Sequence, residues 1–237
     1  MFRNKYKQNI SKIDYSSDSG YTIMESLVAM IVVAVLMSAI APVIALSVGT
    51  RVQARRLELA ALAARSYISW IESPRETDER NNRSPKFVTE SFNSGVDAPD
   101  TTAGVDCTGK DQKYCDTNRT LFCIDGDDTG GCELDSPTDF IVQGTSFSDK
   151  GALFDTGSDV PNYDRGYQLL VRVYRADAFQ EDDLCPQGTD SDCPAGTRQS
   201  VVTNAIGNRR LPMTEIITDI PPLQSSFQNL CNRLGGC

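Results

Sequence analysis

The chain has 237 residues, eight cysteines, no histidine and a formal charge of −9. A body this acidic repels nucleic acid rather than binding it. Without histidine there is no Ser-His-Asp or Cys-His nucleophile and no mixed Cys/His zinc site, and neither a P-loop nor a G-x-G-x-x-G loop occurs, so nothing points to an enzyme.

Residues 1–20 are polar, with Arg3, Lys5, Lys7 and Lys12 against Asp14 and Asp18. Gly20, Tyr21, Thr22, Ile23, Met24 and Glu25 follow, and then residues 27–48 carry no charge. About 20 apolar residues suffice to cross a bilayer. A charge inside such a segment costs roughly 2.5–3.5 kcal/mol on insertion scales, so Glu25 calls for a partner cation. A secretory signal is a competing reading. Its apolar core is shorter and its cleavage site lies beyond that core, which Ala45-Leu46-Ser47 would supply here. A plain single-pass anchor is another, but an anchor gains nothing from Glu25. Charge counting leaves orientation near balance, because Arg51, Arg55, Arg56 and Arg65 closely follow the apolar run.

The segment from Gly20 onward resembles the N-terminus of type IV pilin and pseudopilin precursors, with Tyr21 after the glycine, Glu25 four residues later and Pro42 within the apolar run. The resemblance implies cleavage after Gly20 by a prepilin peptidase and methylation of the new Tyr21 amine. It implies that Glu25 accepts such an amine from a neighbouring subunit, and that Pro42 loosens the helix. It also implies a division into a leader (1–20), an N-terminal helix (21–73; transmembrane over 25–48, amphipathic over 49–73) and a globular domain (74–237). The leader would be cytoplasmic and the globular domain periplasmic or extracellular. Losing the leader would leave a charge of about −11, since its four cations and two anions go with it.

Past the membrane segment, Val52, Leu59, Leu62, Ser66 and Trp70 recur at three- to four-residue steps among alanines. That spacing predicts an amphipathic continuation of the helix with these residues as its sticky stripe. Ser73-Pro74 should end it near residue 72. A helix from 21 to 72 would be about 75 Å long at 1.5 Å per residue. Residues 75–84 read as a polar linker or loop. Residues 86–92, 120–124, 140–143, 168–174, 200–206 and 214–220 have strand composition, the fourth most strongly. Residues 93–137 and 181–196 read as cysteine-bearing insertions, the first held by disulfides rather than by a core.

The cysteines are Cys107, Cys115, Cys123, Cys132, Cys185, Cys193, Cys231 and Cys237. All follow the apolar run and none forms a C-x-x-C pair, which favours disulfides in an oxidising compartment. The four within 107–132 allow three pairings. Cys185 with Cys193 and Cys231 with Cys237 are candidate local pairs, each closing a short loop worth about 2–3 kcal/mol of unfolded-state freedom. No cofactor is called for, with calcium the one ion to weigh. Asp125, Asp127, Asp128 and Thr129 are its candidate ligands, with alternate acids and a turn glycine. The bidentate acid of such loops is missing, Ser136 standing at its position, with Glu133 or Asp135 as substitutes. An acidic turn between disulfides is the competing reading.

One helix followed by several strands predicts an α+β domain with an antiparallel sheet, the layout the pilin resemblance also implies. Residues 166–179 and the stretches 214–218, 226–227 and 230–234 are similar to hormogonium polysaccharide secretion pseudopilins of cyanobacteria. The function implied is that of a minor pilin or pseudopilin, a structural subunit of a type IV pilus or type II-like secretion pseudopilus. A minor role is preferred because the cysteine-rich insertions suit a massively repeated subunit poorly. Its partners would be other pilin or pseudopilin subunits, the prepilin peptidase, the inner-membrane assembly platform and the membrane itself. The alternative is a membrane-anchored adhesin or ligand-binding protein.

Overall fold

The computed structural model describes residues 22–88, 96–101, 105–147, 161–180, 183–186, 193, 208–223, 227 and 231. The chain divides into two compact units, Met1–Ala45 and Leu46–Cys237. In the first unit every described residue except Thr22 belongs to α1, which runs Ile23–Glu72, and all are exposed. Its most apolar stretch has a mean hydropathy of 2.8, and α1 is long and apolar enough to cross a membrane. The hydroxyls of Ser26 and Ser38 donate to the carbonyls of Ile23 and Val35, both at 2.8 Å, so neither presents an unpaired donor to an apolar medium. The helix runs unbroken through Pro42, whose missing N–H deprives the Ser38 carbonyl of its usual donor.

Among its described residues the second unit forms one antiparallel sheet in sequential order, with the rest of α1 on one face. Its strands are β1 (Lys113–Tyr114), β2 (Leu121–Ile124), β3 (Phe140–Phe147), β4 (Tyr167–Arg175) and β5 (Thr214–Ile220). The α+β layout with an antiparallel sheet is therefore observed. Strand alternation divides two apolar layers. Phe122, Phe140, Val142, Leu169, Val171 and Val173 join Ala60, Ala63, Ala64, Tyr67 and Ile71 of α1 in one core. Their neighbours Leu121, Cys123, Ile141 and Tyr174 face the other way, toward Cys107, Cys115, Cys132, Ala178, Phe179 and Leu184. With both faces covered, every residue of β3 is buried.

Three expectations need correction. The buried stripe of α1 is Gln53, Ala60, Ala63, Ala64, Tyr67 and Ile71. Leu59 and Trp70 only flank it, and Val52 and Leu62 remain 45% and 52% exposed. The reason is close approach. A Cβ on Gly144 of β3 would lie 2.0 Å from the Tyr67 hydroxyl, so helix and sheet meet where side chains are smallest. Residues 75–84 are not a linker but contain α2 (Thr77–Arg83). Asp78 and Glu79 occupy its first turn and Arg80 and Arg83 its last, the arrangement the helix dipole favours, and Glu79 pairs with Arg83. Arg83 also donates to the Trp70 carbonyl (3.2 Å) and the Ser73 hydroxyl (2.7 Å), which caps α1. Residues 93–137 are not held by disulfides alone. They supply β1 and β2, place Phe122 in the helix-side core and build the second apolar layer.

The sequence-predicted strands 120–124, 140–143, 168–174 and 214–220 all appear, the second and third longer than expected. The segment 86–92 begins with a parallel bridge from Phe87 to Ser146, and its end lies outside the described residues. So does 200–206.

Candidate functional site

Two places carry the sequence-predicted site residues. The first is the start of α1. Gly20 and Tyr21 lie outside the described residues. Thr22 stands one position before the helix, and both its carbonyl (2.9 Å) and its Oγ1 (3.3 Å) accept from the Glu25 N–H. Thr22 and Glu25 thus hold the N-cap and N3 positions of a Ser/Thr-x-x-Glu capping box, a helix-start signal that the sequence reading passed over. The exposed Glu25 carboxylate is the one acid in the first turn of α1. There it meets the positive end of the helix dipole, and an ammonium group brought beside it would neutralise it fully.

The second place is the loop between β2 and β3, with the disulfide-bonded segment that precedes it. Cys107 pairs with Cys115 and Cys123 with Cys132, which selects one of the three possible pairings. Cys185 pairs with Cys193 as expected. Cys231 is disulfide-bonded too, while Cys237 lies outside the described residues. All of Cys107, Cys115, Cys123 and Cys132 are buried, so the bridges act as apolar packing as well as cross-links.

Within that loop the carboxylates of Asp125, Asp127 and Asp139 come within 4.8 Å of one another. Asp128, Glu133 and Asp135 are not among the gathered acids, which include Asp139 instead, while the Thr129 hydroxyl donates to Asp127 at the edge of the cluster. No spacing along the chain marks Asp139, which lies beyond the length of a cation loop and arrives through the fold.

Backbone donors already occupy this cluster. Oδ1 of Asp125 accepts from the N–H of Asp127 (3.0 Å) and Asp128 (2.7 Å), and Oδ2 from Gly130 (3.3 Å) and Gly131 (2.8 Å). Four donors fill the lone-pair sites of one carboxylate. The bond from Gly131 above all, then those from the other amides, holds the Asp125 carboxyl below its usual range. Asp139, fully buried, accepts from the N–H of Gly126 (3.0 Å) and Glu133 (2.9 Å). Asp127 accepts from the hydroxyl of Thr138 at 2.9 Å and from that of Thr129. Gly131 is required here, since a Cβ would lie 2.5 Å from the Gly109 carbonyl carbon. The arrangement is an anionic hub that ties a loop together, with its charge solvated by amides.

Compared with known protein families, with characterised proteins and with solved structures, the chain matches none.

Proposed function

We propose that the chain is a minor pilin or pseudopilin, a structural rather than catalytic subunit of a type IV pilus or type II-like secretion pseudopilus. The observation that carries this reading is the lone carboxylate of Glu25 in the first turn of α1, at the head of an exposed stretch that carries no charge from Leu27 to Val48. Prepilin peptidase cuts after Gly20 and the Tyr21 amine is methylated. Glu25 then accepts the amine of a neighbouring subunit. In hydrocarbon that pairing offsets an otherwise unpaired charge, and so it selects register between subunits. The chain waits as a single-pass protein of the inner membrane with its sheet domain periplasmic, and the assembly platform feeds it into the filament.

Mass spectrometry of protein from cells with a working prepilin peptidase tests the reading. The expected mature N-terminus is methylated Tyr21. A chain starting at Met1 or near Val48 overturns it. Glu25→Ala should insert into the membrane normally but be lost from sheared filaments.

A further inference from the structure

Beyond the apolar run, α1 carries its exposed charges in a regular order. Arg51, Glu58, Arg65 and Glu72 alternate in sign at steps of seven residues, and all four are exposed. A second row at the same spacing, Val48, Arg55, Leu62 and Ser69, runs beside them and is exposed too. Steps of four and three residues between the rows keep both on one face, the seam spacing of two helices packed side by side. That face lies opposite Ala60, Ala64, Tyr67 and Ile71, which meet the sheet.

The chain leaves this row of charges open. Arg51, Glu58 and Arg65 form no ion pair among the described residues, and Glu72 lies in the field of Arg80 without a salt bridge to it. Opposite charges seven residues apart are about 10.5 Å apart on one helix, beyond pairing distance. A second helix is needed to join them. Two copies anchored by the same apolar span cross one bilayer in the same sense, so their α1 helices are parallel. In register, a parallel pair sets Arg51, Arg55, Glu58, Arg65 and Glu72 each against its own kind. Displaced by seven residues, it sets Arg51 against Glu58, Glu58 against Arg65, and Arg65 against Glu72. The same displacement lays the apolar stem of Arg55 over Leu62 of the other copy, a residue 52% exposed in the single chain.

We infer that this face of α1 is an interface between two copies of the chain, parallel and displaced by one heptad, about 10.5 Å. Exposed ion pairs are individually weak, so the charges choose the displacement while confinement in the bilayer supplies the effective concentration. The inference rests on α1 as a membrane span, which the proposed function shares, and not on cleavage, methylation or the Glu25 pairing.

The test reconstitutes the full chain in proteoliposomes, with flotation to confirm insertion. Copies bearing Leu62→Cys are mixed with copies bearing Ser69→Cys and oxidised. The expected product is a disulfide between the two variants, at least fivefold more abundant than the product of either variant with itself. Glu58→Arg in both copies should reduce it at least fivefold. Reversing all four signs together (Arg51→Glu, Glu58→Arg, Arg65→Glu, Glu72→Arg) should restore it, because the alternation returns. A product of Leu62→Cys with itself that equals the mixed one overturns the displacement, and indifference to Glu58→Arg overturns the charge pairing. Chains that float yet give no mixed product overturn the interface and leave the proposed function intact. Chains that do not float overturn the span on which both rest.

Discussion

Gly144 lies where Tyr67 of α1 presses on β3, and the fit of helix to sheet turns on that one missing side chain. Tyr67 is fully buried, packs on Phe122 at 4.9 Å between ring centroids and exchanges a 3.0 Å hydrogen bond with the Tyr114 hydroxyl. Gly144→Ala would drive a methyl group into the Tyr67 phenol. The expected cost is about 1–3 kcal/mol, the range for overpacked cores. Urea denaturation in detergent, followed by emission of Trp70, the single tryptophan, would register it as a lower midpoint. An unchanged midpoint would mean that helix and sheet sit further apart than described.

At the scale of elements, the loop between β2 and β3 depends on Asp125 as an internal cap for four amides. Asp125→Ala should cost about 1–2 kcal/mol, comparable to losing a strong helix cap, with no change in filament incorporation. Because those amides fill the carboxylate, millimolar calcium should leave the melting temperature unchanged. A rise of several degrees would show instead that the ion displaces them. The back of the sheet is tied by polar bonds in the same manner. Arg172 pairs with Glu215 across β4 and β5 at 2.6 Å and donates to the Val96 carbonyl at 2.6 Å, while the Gln143 side-chain amide donates to the Asp97 carbonyl at 2.9 Å. An insertion that looks loose in composition is anchored by side chains from two strands, β3 and β4, far away in sequence.

For the molecule as a whole, buried phenols set an alkaline limit. Burial raises the pKa of Tyr67, Tyr114, Tyr163, Tyr167 and Tyr174 above the ordinary tyrosine value. An unfolded tyrosine ionises near pH 10, whereas these stay neutral in the fold, so the unfolded chain binds fewer protons above that pH. The stability they support is therefore fully present below pH 10 and declines above it, by about 1.4 kcal/mol per pH unit for each phenol held neutral. Equilibrium denaturation of the oxidised protein at pH 8, 10 and 11 should show a flat response to pH 10 and a fall beyond it. Stability unchanged at pH 11 would contradict the burial of these rings.

The sequence by itself determined what one-dimensional pattern can encode. It determined the apolar span with Glu25 at its edge, the end of α1 at Ser73-Pro74, strands at 120–124, 140–143, 168–174 and 214–220, and the local pair Cys185–Cys193. Each follows from period, length or proximity along the chain. Tertiary structure alone decided which face of α1 is buried. Large residues such as Leu62 looked like the core side, but contact with a sheet at Gly144 selected alanines instead. It also chose the pairings Cys107–Cys115 and Cys123–Cys132, brought Asp139 to Asp125, and set Arg209 beside the Arg175–Asp177 pair. Those choices depend on distances between residues far apart in sequence, and hydrophobic periodicity carries no information about such distances.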